Sequence, residues 1–123
     1  MPRALLFTHD LLFGSNVQGM LLAAGHEVEL AHDEDALREA LMREPAQVVI
    51  ADLTEPDREL EAVQSVRELR EEGFLDGVPA LGYYSHVEPG VREMAEADGF
   101  QLVVPRSRMA REGAELVSQL IEG

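Results

Sequence analysis

The chain has 123 residues, enough for one ordinary domain and too few for two. Its composition is 46% apolar and 28% charged, as in an ordinary globular protein, with no apolar run long enough to span a bilayer and no cysteine for a disulfide or a thiolate metal site. A formal charge of -14 repels nucleic-acid phosphates, and all ten basic residues are arginine, so no site here uses an ammonium group. The apolar part of the N-terminal run is too short for a secretory signal, so the cytoplasm is the expected compartment.

In chain order, Ala4-Leu5-Leu6-Phe7 reads as a buried first strand, with Thr8-His9-Asp10 at its end. Gly14-Ser15-Asn16 is predicted to start a helix, because Ser and Asn accept hydrogen bonds from free first-turn amides. Val17, Met20, Leu21 and Ala24 form its apolar face, and Gly25 ends it. Glu27–Ala31 alternates charged and apolar residues, which suits an edge strand with one exposed face. Asp33 is predicted to cap a second helix with Ala36, Leu37, Ala40 and Leu41 inward, closed by Pro45.

The stretch Val48-Val49-Ile50-Ala51-Asp52 comes next, with Pro56 four residues beyond the acid. A short continuous apolar run fits a strand covered on both faces, although periodicity alone does not exclude a buried helix. As a strand, it sets Asp52 at the C-terminal end, where open α/β sheets place their ligands. Aspartate is also a common turn residue, so a plain strand stop is the competing reading.

Leu60, Val63, Val66 and Leu69 then recur every third residue in a third amphipathic helix ending near Gly73. Pro79–Tyr84 reads as a fourth strand, in which Gly82 signals close backbone approach. Pro89 opens a fourth helix with Val91, Met94 and Ala95 inward, and Gly99 stops it. Leu102-Val103-Val104 is a fifth strand, and Ser107 is predicted to cap a last helix carrying Met109, Leu116 and Leu120 on one face. The strand–helix order repeats five times with no linker, internal repeat or low-complexity segment. One α/β domain over residues 1–123 is expected, a parallel sheet with helices on both faces.

With these elements placed, the chain resembles a receiver domain of bacterial response regulators over essentially its whole length. The resemblance rests on Asp52 with Pro56, on Gly25-His26-Glu27-Val28, on Pro79 opening strand four and on Asp98-Gly99-Phe100 before strand five. It implies the flavodoxin-like (CheY-like) doubly wound five-stranded parallel sheet, order 2-1-3-4-5, with five helices. It also implies two-component signal transduction, in which the strand-three aspartate accepts a phosphoryl group from a histidine kinase. In that family an acidic pair after strand one binds Mg²⁺, and a Thr or Ser after strand four and a Lys after strand five contact the phosphoryl oxygens.

Position by position, Asp52 matches the acceptor. Ungapped counting puts Thr8 and His9 at the acidic pair, Tyr84 at the Thr/Ser position with Ser85 next, and Arg106 at the lysine position with Ser107 at the usual proline. The aromatic switch position falls on Val103. Asp10 lies one place beyond the missing pair. Phosphoryl transfer depends on positioning and on charge neutralisation by the metal. Mg²⁺ demands a near-ideal octahedron of oxygens, so Asp52 with Asp10 and the Thr54 carbonyl makes a degraded site. The planar fork of Arg106 does not replace a compact ammonium.

Two further features have two readings each. His9 is either a strand-end residue bonded locally or, when protonated, a source of positive charge beside Asp52. Arg106, Arg108 and Arg111 are either a solvated patch or a contact for an acidic partner. The resemblance implies a protein partner, a histidine kinase or downstream target, on the face of helix four, strand five and helix five. Val87, Arg92, Glu96, Val103, Pro105 and Arg108 would populate that face, which also serves for homodimers.

Three functions compete. The first is an atypical receiver acting as an interaction module, with phosphorylation of Asp52 weak or absent. The second is a working phosphoacceptor whose rearranged site uses Asp10. The third is a flavodoxin-like cofactor-binding protein, which the apolar, acid-bearing loop His9–Gly14 and the absence of a glycine-rich phosphate loop disfavour. No spacing of histidines suggests a metal site and no nucleophile–base set is evident, so an enzyme is not expected.

Overall fold

The computed structural model describes residues 2–55, 58–85 and 90–123. Five parallel strands, β1 (Arg3–Phe7), β2 (Glu27–Ala31), β3 (Val48–Asp52), β4 (Ala80–Tyr84) and β5 (Leu102–Pro105), lie in the order 2-1-3-4-5. Helices α1 (Leu11–Ala23), α2 (Glu34–Arg43), α3 (Glu59–Glu71), α4 (Val91–Ala97) and α5 (Arg106–Glu122) connect and follow them. This is the flavodoxin-like doubly wound sheet expected from the sequence.

Side-chain alternation builds two cores. Leu5, Phe7, Val49 and Ala51 face α2, α3 and α4, while Ala4, Leu6, Val48 and Ile50 face α1 and α5. The next residues, Thr8 and Asp52, continue the second set, so both side chains point to the α1/α5 layer. The register pairs Asp52 with Tyr83 across β3 and β4, which puts Tyr83 on the same face.

Gly82 lies where an added Cβ would meet Leu53 Cδ1 at 2.7 Å and Phe100 at 3.3 Å, the close approach that a glycine inside a strand signals. At the opposite end of the sheet the buried Arg3 pairs with Glu29 at 2.8 Å and donates to the Glu44 carbonyl at 2.7 Å. Burial of that cation is compensated by charge and hydrogen bonds together.

The helix starts differ from expectation at two places. Asp10, not Ser15 or Asn16, caps α1 by accepting from the Phe13 amide at 3.0 Å, so Gly14 falls inside the helix. Ser107 does not cap α5, which begins one residue earlier at Arg106 with Pro105 before it and no side-chain cap. Asp33 does cap α2. Leu60, expected in the buried stripe of α3, is 51% exposed because the buried face runs through Ala62, Val63, Val66 and Leu69. Pro56, Val87 and Pro89 lie outside the described residues.

Candidate functional site

Asp52 is half-buried at the end of β3, and its carboxylate is already hydrogen-bonded by the chain itself. The Thr8 hydroxyl donates to Oδ2 at 2.6 Å. The Thr54 amide and hydroxyl both donate to Oδ1, at 2.8 and 2.5 Å. Thr8 Oγ1 in turn accepts from the Asp10 amide at 3.0 Å, which orients its proton toward Asp52. The Thr8 methyl packs against Gly14, where an added Cβ would lie 2.9 Å from it. Three donors from the chain itself thus satisfy one carboxylate.

Asp10 is equally engaged. One oxygen caps α1, and the other faces the Arg106 guanidinium at 3.4 Å. The Thr54 carbonyl accepts from the Ser85 hydroxyl at 3.2 Å. Among the described residues, no three His, Cys, Asp or Glu side chains gather as a metal would require. A Mg²⁺ ion at Asp10 and Asp52 would face an arginine and carboxylates whose lone pairs are mostly taken, so these residues do not fit it.

The remaining sequence candidates are dispersed around this carboxylate rather than on it. Arg106 stacks on Phe13, its Cζ 4.1 Å from the ring centre, and turns to Asp10 instead of Asp52. Tyr84 packs on the α3/α4 side of the sheet, the face opposite Asp52. Ser85 reaches only the Thr54 carbonyl. His9 is exposed, and its Nε2 lies 3.0 Å from Arg58 Nη1. Arginine only donates, so Arg58 is the donor in this contact. Arg58, which also pairs with Glu55 at 3.2 Å, brings its guanidinium to the Asp52 pocket. That pocket, lined by Phe7, His9, Asp52, Glu55, Arg58 and Ala62, holds about 10 Å³, barely one water.

Two residues of the site were not singled out from the sequence. Arg58 follows Asp52 by six positions, and only the turn into α3 returns it to the end of β1. Tyr83 is fully buried beside the carboxylate, 5.2 Å from the Phe13 ring, and among the described residues its hydroxyl has no partner within hydrogen-bond geometry, although Thr8 lies near enough to act on it. Burial first, and the charge of Asp52 second, push its phenol above the usual range, with the nearby Thr8 hydroxyl opposing. The register Asp52–Tyr83 was the available signal, but it needs the strand pairing.

On the face expected to meet partners, Arg92, Glu96, Pro105 and Arg108 are exposed. Val103 is only 5% exposed and packs in the α2/α3/α4 core, so it cannot belong to that surface; alternation along β5 turns it inward. Arg92 and Arg108 each pair with a glutamate one turn on, Glu96 and Glu112, at 3.4 and 3.3 Å.

No family sequence model and no curated protein matches this chain. Solved structures do. A response regulator from Thermotoga maritima superposes with a TM-score of 0.87 at 20% identity, covering 100% of this chain and 99% of that one. A putative response regulator from Chloroflexus aurantiacus gives 0.86 at 14% identity over 100% of both chains. The chemotaxis protein CheY4 of Vibrio cholerae gives 0.83 at 21% identity over 98% of each. The fold is therefore that of response-regulator receiver domains. At these identities the likeness is one of architecture.

Proposed function

We propose that this chain, built on the receiver fold, is an atypical receiver domain of two-component signalling. It works as a protein-interaction module, with Mg²⁺-dependent phosphorylation of Asp52 weak or absent. The observation that carries this reading is the state of the two carboxylates. Asp52 accepts from Thr8 and twice from Thr54, and Asp10 is divided between a helix cap and Arg106. Phosphoryl transfer requires a cation that neutralises developing charge on the transferred group. Neither aspartate offers that cation an open set of oxygens. The same engagement of Asp10 weighs against a rearranged phosphoacceptor site built on it.

The module's partner is a protein, a histidine kinase or a downstream target, met through the exposed parts of α4, β5 and α5. A homodimer through that face is a variant of the same reading. A formal net charge of -14 weighs against nucleic acid as the ligand of this domain. No helix among the described residues is long and apolar enough to cross a membrane.

The test is to incubate the protein with Mg²⁺ and acetyl phosphate or beryllofluoride. Intact mass and fluorine NMR then report any adduct, with Asp52→Asn as the control. The expected result is no stoichiometric, Mg²⁺-dependent adduct. A clear one on Asp52 would replace this reading with a working phosphoacceptor.

A further inference from the structure

Aspartate followed by glycine is a labile pairing, because glycine has no side chain to shield its amide nitrogen from the neighbouring carboxyl group. The chain holds two such pairs, Asp76-Gly77 and Asp98-Gly99. Its single asparagine, Asn16, precedes the branched Val17 inside α1. Both glycines have positive φ, 71° and 98°, so the sign of φ does not distinguish the two pairs. Their hydrogen bonds do.

Asp98-Gly99 closes α4. The Gly99 amide donates to the Glu96 carbonyl at 3.2 Å, and the Asp98 amide donates to the Met94 and Ala95 carbonyls at 3.0 and 3.2 Å. The Asp98 side chain is 23% exposed and faces Arg67 at 3.9 Å. Phe100, the next residue, is buried, and its amide donates to the Ala95 carbonyl at 3.0 Å. An amide nitrogen held as a donor on so anchored a segment reaches the neighbouring carboxyl only by breaking those bonds.

Asp76-Gly77 lies in the turn between α3 and β4, and both residues are exposed. Among the described residues, the Gly77 amide donates to no acceptor, and the Asp76 carboxylate has neither a hydrogen bond nor an ion pair. A side chain at Gly77 would meet nothing within 4 Å. One hydrogen bond closes the turn, from the Val78 amide to the Leu75 carbonyl at 3.1 Å. Arg70 holds the two ends, donating to the Leu75 and Val78 carbonyls at 2.7 and 2.9 Å. The Asp76–Gly77 peptide between them is left unpinned.

We propose that Asp76 is a site of spontaneous isoaspartate formation and that the fold protects Asp98 from it. The Gly77 nitrogen attacks Cγ of the protonated Asp76 carboxyl. An N–C bond forms, and the amide proton leaves with the carboxyl hydroxyl as water. Water then opens the five-membered succinimide at either carbonyl. One opening restores aspartate. The other leaves the chain running through the side-chain carboxyl, with one extra backbone carbon and a free α-carboxylate. That carboxylate makes the aged chain a substrate for an isoaspartyl methyltransferase using S-adenosylmethionine. The proposal is independent of whether Asp52 takes up phosphate.

The test ages the full chain for weeks at neutral pH and physiological temperature, in buffer and in guanidinium chloride. Electron-transfer fragmentation of proteolytic peptides reports isoaspartate at each position. Isoaspartyl methyltransferase with tritiated S-adenosylmethionine reports the total. In buffer, residue 76 is expected to convert at least about tenfold faster than residue 98, where the amide hydrogen bond must break first. In denaturant the two rates are expected to converge. Asp76→Glu changes an exposed position, and its melting curve confirms that it folds. It is expected to lose most of the methyl acceptance, because glutamate closes the larger ring more slowly. The proposal is overturned if residue 98 converts as fast as residue 76 in buffer. It is also overturned if both convert in denaturant and neither does in buffer, or if aged Asp76→Glu accepts as much methyl as the aged wild type.

Discussion

Thr8 and Asp52 come from different strands and meet through a 2.6 Å hydrogen bond, hydroxyl to carboxylate. That bond ties the C-terminal ends of β1 and β3 together. It stands where the family resemblance sets a metal and its acidic ligands.

Asp52 is accordingly expected to stabilise the fold, not to burden it. Thr8→Val leaves Asp52 Oδ2 without its donor and the Asp10 amide without its acceptor. A loss of about 1–3 kcal/mol is expected, the usual result of orphaning half-buried polar groups. Asp52→Ala should cost a similar amount, since it strands the Thr8 and Thr54 donors. Urea unfolding measures both; an unchanged or raised midpoint for either variant would show the clasp to be inert.

Gly14→Ala tests the packing behind that bond. Alanine improves helix propensity by about 1 kcal/mol. Its Cβ, however, would meet the Thr8 methyl at 2.9 Å, and Thr8 is held on both sides of its hydroxyl. Overpacking typically costs about 1–3 kcal/mol, so the net effect is expected to be destabilising. Gly19→Ala, on the same helix with open space around it, should stabilise. If both variants gain stability, Thr8 is not fixed by the helix.

Tyr83→Phe removes a buried hydroxyl that, among the described residues, has no well-formed hydrogen bond. The substitution is expected to be neutral or to stabilise by about 1 kcal/mol, where loss of a bonded tyrosine hydroxyl would destabilise. The raised phenol pKa carries a pH signature of the same sign. Its contribution is complete below the ordinary value of 10.0 and is lost as pH rises above it, because the unfolded phenol ionises first. Alkaline unfolding should therefore be delayed in Tyr83→Phe. Coincident alkaline transitions in the two proteins would remove Tyr83 from the site's electrostatics.

Glu29 gives the acid limb. The hydrogen bond from Arg43 is the largest influence on its carboxyl, burial opposes it, and the hydrogen bond from Arg3 then adds to it, so the group is held below the usual range. A depressed folded-state pKa contributes stability above the unfolded value of 4.5 and loses it as pH falls through the folded value. Glu29→Gln should flatten the fall in urea midpoint over that interval. Parallel wild-type and variant profiles would show that the Arg3–Glu29–Arg43 cluster does not couple to folding.

How much of this was legible beforehand follows from the range of each interaction. Strand and helix order comes from local periodicity, and the apolar run ending in Asp52 is visible because a doubly covered strand needs no polar residue. Asp10 escaped notice as a helix cap because Gly14-Ser15-Asn16 offers an equally good local signal. The tertiary approach of α1 to Thr8 requires a glycine inside the helix, and that decided between them. Val103 looked like a surface position until strand alternation turned it inward.

The sequence by itself determined the architecture and the place of Asp52 at the end of a strand, since composition and period are properties of the chain. Only the tertiary structure decided what surrounds that carboxylate. Thr8, Thr54, Arg58 and Tyr83 lie on different strands and turns, and their distances to Asp52 depend on sheet register and on helix packing. A hydrogen bond acts over about 3 Å. No spacing along the chain encodes which donors will fall within that reach.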